Sequence, residues 1–177
     1  MRVVAGELRG RLFDGPPGRD TRPTTDKVRE ATFNALGSLD LVRDATVADL
    51  YAGSGGLGIE ALSRGAAHVT FVERDRAALR VLRDNLRSLG LESVSKVVPG
   101  DALVMAGGLD VDLVLADPPY DFDQWPALLA ATRAGFVVAE AGRSLDDLEV
   151  PGWQATRAKR YSRTWVTFFE RISLDVG

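Results

Sequence analysis

Apolar and polar residues change period several times along the chain. Residues 46–51, 68–73, 94–98, 111–116 and 136–140 are short apolar-rich runs with many β-branched side chains, and each reads as a strand. Longer amphipathic stretches separate them. Residues 57–64 predict a helix stopped by Gly65. Residues 76–89 predict another, with Leu79, Leu82, Leu86 and Leu89 on one face and Arg76, Arg80, Arg83 and Arg87 on a solvated one. Residues 122–133 predict a third, whose start Pro126 restricts. From residue 46 onward strands and helices therefore alternate, which is the pattern of a parallel sheet covered by helices.

The two ends differ. Residues 2–13 suggest a short hairpin turning between Gly6 and Gly10, and residues 14–20 are a glycine- and proline-rich loop. Thr24, Thr25 and Asp26 open a helix that a threonine caps; Val28, Ala31, Thr32, Ala35 and Leu36 form its inner stripe and Gly37 ends it. Near the C-terminus, residues 156–161 and 164–170 alternate like an antiparallel pair. The expected architecture is α/β and Rossmann-like: a doubly wound sheet with one reversed strand. Residues 1–20 form an appendage and residues 21–177 the main domain.

Composition narrows the chemistry. The 177 residues contain no cysteine and one histidine, His68, so disulfides, thiolate nucleophiles and Cys/His metal sites are excluded and no metal is expected. No stretch is long and apolar enough for a signal peptide or a membrane span, so a cytoplasmic protein without membrane association is expected. The net charge is −3, but it is unevenly spread. Residues 1–34 carry seven Lys/Arg against five Asp/Glu, residues 35–152 ten against eighteen, and residues 153–177 five against two. Nineteen of the 22 basic residues are arginine, the side chain that matches phosphate through paired hydrogen bonds. Two basic ends around an acidic middle are compatible with a nucleic-acid footprint.

Two segments carry candidate chemistry. Gly53, Gly55 and Gly58 fit G-x-G-x-x-G between a strand and a helix, where the backbone can approach a nucleoside cofactor closely. By itself the spacing more commonly marks a dinucleotide site, and it also suits a tight turn with no ligand. Gly53, Ser54, Gly55 and Gly58 would cradle the cofactor. Glu73 ends the next strand, where an acid accepts hydrogen bonds from ribose hydroxyls, while Asp75 reads as a helix cap. Asp101, followed by Ala102, ends the third strand and could receive an adenine amino group. Acids at strand ends also serve simply as helix caps.

The second segment is Asp117-Pro118-Pro119-Tyr120, at the mouth of the fourth strand. The amino nitrogen of a purine is a poor nucleophile because its lone pair is delocalised into the ring. Hydrogen bonds from that amine to Asp117 and to the Pro118 carbonyl favour a pyramidal nitrogen, and Tyr120 can stack on the base. Pro119 holds the turn rigid. Together with the glycine loop, the segment points to methyl transfer from S-adenosylmethionine to an exocyclic amine, with Asp117 also near the cofactor.

These residues resemble a known family, the bacterial small-subunit (16S) ribosomal RNA guanine-N2 methyltransferases of the RsmD type. The resemblance runs through Arg9-Gly10-Arg11, Arg22-Pro23-Thr24-Thr25-Asp26-Lys27-Val28-Arg29-Glu30 with Phe33-Asn34, and Ala52 to Gly58 followed by Glu60-Ala61-Leu62-Ser63-Arg64. It continues through Glu73, Asn85, Asp117 to Tyr120 and Lys159-Arg160-Tyr161. It implies a class I S-adenosylmethionine methyltransferase with a seven-stranded sheet and an antiparallel last strand, acting on one guanine of 16S RNA in a partly assembled small subunit. Arg9, Arg11, Arg22, Lys27, Lys159 and Arg160 are the candidate RNA contacts. Ser162 stands where the family suggests glycine, and residues 139–142 hold one acid where relatives often have two. The four-residue motif would also serve a DNA adenine-N6 methyltransferase. A nicotinamide-dependent oxidoreductase would use the glycine loop but leave Asp117 to Tyr120 without a role, and a non-catalytic RNA-binding module would use only the basic ends.

Overall fold

A computed structural model of the chain describes residues 1–15 and 23–173. Its sheet has seven strands, β1 (Thr46–Leu50), β2 (His68–Glu73), β3 (Ser95–Pro99), β4 (Leu113–Ala116), β5 (Phe136–Ala141), β6 (Trp153–Tyr161) and β7 (Thr164–Arg171). They lie in the order β3-β2-β1-β4-β5-β7-β6. Neighbours among β1 to β5 are parallel, and β7 runs antiparallel to both β5 and β6. The last strand is thus the reversed one, as the sequence implied. Among the described residues, five α-helices accompany the sheet: α1 (Pro23–Ser38), α2 (Gly56–Ser63), α3 (Arg76–Leu89), α4 (Ala102–Ala106) and α5 (Trp125–Ala131).

The alternation along each strand builds a core on each face. Val47, Phe71, Leu115, Val138 and Phe168 pack with Phe33, Leu36, Ile59, Leu82 and Leu86 of α1 to α3. Ala48, Leu50, Val114, Val137 and Phe169 pack on the other face with Trp125, Leu128, Leu129 and Trp153. The strand order reverses between β1 and β4. In open α/β sheets the ligand crevice lies at such a point, outside the carboxyl ends of the strands.

Local chemistry sets the boundaries. The β2 and α3 limits coincide with those read from the pattern, because Asp75 caps α3 by accepting from Ala78 N at 2.8 Å and Gly90 closes it at φ 71. The leucine stripe of α3 is buried and its arginine row exposed. Strand β4 begins at Leu113 rather than residue 111, since the Asp112 carboxylate turns back to accept from both Thr46 N and Thr46 Oγ1 at 2.8 Å. Helix α5 begins at Trp125 rather than residue 122. The preceding turn is closed by Phe122 N donating to Pro119 O at 2.9 Å. Strand β6 starts at Trp153, three residues earlier than the alternation suggested, because a bulge between Ala155 and Arg157 breaks the period. Helix α4 was not apparent in the sequence. The proposed threonine cap of α1 lies outside the side chains described here.

The N-terminal segment does close into a hairpin, through Val3 N to Arg11 O and Gly10 N to Val3 O, both 2.9 Å. It is fastened to the sheet domain. Val3 and Phe13 are buried in the first core. The buried Glu60 carboxylate of α2 accepts from Val4 N at 2.9 Å and Ala5 N at 3.0 Å, and it pairs with Arg64 at 2.8 Å. Gly6 is required at its position: a Cβ there would lie 1.8 Å from Ser63 O, and its φ is +84.

Candidate functional site

The crevice begins where β1 ends. Tyr51 leaves the strand with φ 62, a left-handed conformation that costs a non-glycine residue about 1–2 kcal/mol. Its half-buried hydroxyl is pushed up to about 12, mainly by removal from water and then by the nearby Asp101 carboxylate. Its ring meets Phe122 edge-on at 5.4 Å, and Phe122 in turn meets Trp125 at 5.0 Å. The glycine loop follows. A Cβ on Gly53 would meet nothing within 4 Å, so this backbone faces open space, at φ +57. Gly58 is the opposite case. Its missing side chain lets α2 lie against β2, where a Cβ would fall 2.2 Å from Phe71 Cε1. Gly55 has φ +93 and stands directly before α2. Ser54 is buried, and its carbonyl accepts from Asn85 Nδ2 at 2.9 Å, which ties the loop to α3.

The strand-end acids take distinct positions. Glu73 Oε2 accepts from Gly53 N at 2.8 Å, while its Oε1 accepts from Arg74 N and Asp75 N, also at 2.8 Å. This holds the carboxylate at the rim of the loop with lone pairs still available. Asp101 caps α4 through Leu103 N at 3.0 Å and Val104 N at 3.3 Å, and its other oxygen meets Arg74 Nη1 at 3.3 Å. That pair is largely exposed and adds little to stability. Ala102, the first residue of α4, is buried.

The Asp-Pro-Pro-Tyr segment leaves β4 beside the glycine loop. Asp117 N donates to Leu50 O at 3.4 Å, so the segment is fixed to the end of β1. Asp117 and Tyr120 are exposed, and Pro118 is buried beneath them. Tyr120 is 71% exposed; its hydroxyl lies 3.3 Å from Thr164 Oγ1, and its ring lies over Gly142, where a Cβ would be 2.9 Å from Cδ1.

Two further carboxyls in this region carried no assigned role in the sequence. Asp49 is buried in β1 and accepts from Gly58 N at 2.8 Å, bracing the glycine loop from below. Removal from water pushes it well above its usual 3.8; the Gly58 hydrogen bond pulls it down, and Asp117 and Glu73 push it up further. Glu140, at the end of β5, is also pushed up, first by burial and then by Asp117 and Asp49. The available signal for Asp49 was an acid in the middle of an apolar strand, where an ionised group is costly. Arg29 was likewise read only as part of a motif. It is buried, donates to Arg2 O at 2.5 Å and lies 3.5 Å from Glu60.

Four of the six candidate RNA contacts fall into two groups. Arg9 and Lys27 are exposed and, with Arg2, Asp26 and Glu30, line a cavity of about 310 Å³ between the hairpin and α1. Lys159 and Arg160 lie at the end of β6; Lys159 Nζ is 5.3 Å from the Tyr161 ring centre, and Arg160 Nε donates to Ser162 O at 2.9 Å. Arg11 reaches elsewhere, donating to Ser88 O at 3.1 Å. Arg22 lies outside the described residues. Trp153 is a packing residue whose Nε1 donates to Leu129 O at 2.8 Å. Among the described residues no group of three His, Cys, Asp or Glu could hold a metal ion, and no helix is long and apolar enough to cross a membrane.

Known proteins are similar to this chain in sequence and fold. The family described as conserved hypothetical protein 95 matches residues 1–170. The putative rRNA methyltransferase YlbH of Bacillus subtilis is 39% identical over 97% of this chain and 99% of its own length. The ribosomal RNA small subunit methyltransferase D of Escherichia coli K12 is 41% identical over 68% of this chain and 60% of its own length. The solved structure of the putative methyltransferase yhhF from Escherichia coli superimposes with a TM-score of 0.85 at 33% identity, covering 98% of this chain and 99% of that one.

Proposed function

Since the chain belongs to the conserved hypothetical protein 95 family, the RsmD-type family of S-adenosylmethionine-dependent methyltransferases, we propose that it methylates the exocyclic N2 amine of one guanine in 16S ribosomal RNA. Its substrate is the partly assembled small subunit, and its place of action is the cytoplasm. The observation that carries the reading is the adjacency of the glycine loop and the Asp-Pro-Pro-Tyr segment, joined through Asp117 N and Leu50 O at 3.4 Å.

The residues present fit S-adenosylmethionine. Open space at Gly53 admits a ligand against bare backbone. Gly53, Ser54, Gly55 and Gly58 would hold the methionine portion, Glu73 the ribose hydroxyls, and Asp101 with Ala102 the adenine. The exposed Asp117 and the rim carboxylate of Glu73 put negative charge at the crevice, which suits a cationic sulfonium ligand. When bound, that ligand supplies an electrophilic methyl group. Asp117 accepts a hydrogen bond from the target amine and the Pro118 carbonyl accepts the other, which orients the nitrogen lone pair outward. Pro119 stiffens the turn, and the exposed Tyr120 ring stacks on the base, which must be unpaired or flipped to reach it. The amine's surplus proton then leaves to Asp117 or to water.

Arg9, Arg11, Arg22, Lys27, Lys159 and Arg160 would contact RNA phosphate, with the N-terminal hairpin and loop appendage of residues 1–20 facing the RNA beside the catalytic domain of residues 21–177. The rRNA names of the similar proteins favour this substrate over DNA adenine. The role of Asp117 is tested by Asp117→Ala: turnover is lost while calorimetric binding of S-adenosylhomocysteine is retained. Lost cofactor binding in a folded variant would overturn that assignment.

A further inference from the structure

The turn between β6 and β7 lies at the same carboxyl edge as the crevice. Strand β7 starts there because it runs antiparallel to β5, with Ala141 opposite Trp165 and Glu140 opposite Val166. The turn also touches the stacking residue: Thr164 Oγ1 lies 3.3 Å from the Tyr120 hydroxyl. Ser162 has φ 56 and Arg163 does not share the positive φ, so the two-residue loop has the twist of a type II′ hairpin turn. Arg160 Nε reinforces it by donating to Ser162 O at 2.9 Å, which leaves its terminal nitrogens for other partners.

The charge at this turn is unbalanced. Lys159, Arg160 and Arg163 are exposed, and among the described residues none of them pairs with a carboxylate, whereas Arg74, Arg87 and Arg143 do. The acid of the hairpin, Glu170, sits at its far end, opposite Phe136 and Gln154. Uncompensated cations therefore stand beside an exposed aromatic ring. A base stacked on Tyr120 necessarily brings its own flanking phosphodiesters to that neighbourhood.

We propose that the β6–β7 turn is a phosphate clamp for the RNA strand on either side of the target base. Arg160 and Arg163 hold a flanking phosphodiester, and the Thr164–Tyr120 hydrogen bond couples that grip to the position of the stacking ring. Thr164 is a positioning residue. The inference rests on the proposed RNA methylation and assigns a role to Arg163 and Thr164 that the motifs did not.

The test compares Arg163→Ala, Thr164→Val and a control, Arg80→Ala, in which an exposed arginine of α3 is removed. Binding of protein-free 16S RNA is measured across a salt series with S-adenosylhomocysteine saturating, and methyl transfer is measured separately. Arg163→Ala weakens RNA binding about five- to tenfold and lowers the slope of log affinity against log salt by about one unit, while Arg80→Ala does neither. Thr164→Val leaves RNA and cofactor affinity within about twofold and lowers kcat about three- to tenfold, an effect that Tyr120→Phe, lacking the same hydroxyl, reproduces. Unchanged affinity and slope in Arg163→Ala, with a wild type that methylates RNA, would overturn the clamp. An unchanged kcat in Thr164→Val would overturn the coupling. A wild type that methylates neither protein-free 16S RNA nor small ribosomal subunits lacking the modification would overturn the proposed reaction itself, and the clamp with it.

Discussion

Gly58→Ala separates a packing role for the third glycine from mere turn flexibility, and the two readings predict opposite signs. By helix propensity alone, alanine in α2 would stabilise the protein by about 0.5–1 kcal/mol. The structure predicts the reverse. The added Cβ would lie 2.2 Å from Phe71 Cε1, 2.7 Å from Cζ and 2.9 Å from Val69 Cγ1. Both neighbours are fully buried in β2 and cannot swing aside, so α2 must move. Overpacking of this kind costs about 1–3 kcal/mol. The movement also stretches the 2.8 Å bond from Gly58 N to the buried Asp49 carboxyl, and weakening it adds about 1 kcal/mol or more. Set against the propensity gain, the expected net loss is about 1.5–3 kcal/mol. Urea unfolding followed by circular dichroism should show a midpoint lower by about 1–2 M with an unchanged slope. Cofactor affinity should fall as well, since the glycine loop rides on α2. A variant as stable as the wild type would refute the close-packing argument.

Glu60→Ala removes the acid that joins Arg29, Arg64 and the N-terminal hairpin, leaving two largely buried cations without it; about 3–5 kcal/mol of stability should be lost, with cleavage by protease appearing in the hairpin first. Ser162→Gly relieves a left-handed serine at the start of the β6–β7 turn and should raise thermal stability by up to about 1 kcal/mol, an expectation that an unchanged or lower melting temperature would contradict. Asp49 has a native pKa raised above its unfolded value of 3.8, so its contribution to stability is greatest below that value and declines as pH rises through the native one. Asp49→Asn cannot ionise, so its stability relative to wild type should rise with pH across that window. A difference that stays flat with pH would count against a buried, strained carboxyl.

The parts of the fold that local sequence controls were readable in advance. Strand β2 and helix α3 have their observed limits because Asp75, Gly90 and the leucine stripe act within a few residues of each other. What escaped depends on distant partners. Helix α4 has five residues, too few for a period, and exists through the Asp101 cap. The start of β4 is decided by Thr46, far away in the chain. The bulge in β6 hides its first residues. At the site, the glycine loop and Asp-Pro-Pro-Tyr were visible because their spacing is local. Asp49 and Glu140 were not assigned, because their importance comes from being brought toward Asp117 by neighbouring parallel strands. Ser162, flagged as a departure from glycine, does adopt the positive φ that favours glycine.

The most direct test is the chemical identity of the product. Purified protein is incubated with labelled S-adenosylmethionine and small ribosomal subunits lacking the modification, the same RNA freed of protein, or duplex DNA. The nucleic acid is then digested and its nucleosides separated by mass. The account predicts N2-methylguanosine from RNA, with the preferred substrate showing whether ribosomal proteins help present the base. N6-methyladenine from DNA, or a methylated RNA nucleoside other than N2-methylguanosine, would contradict it.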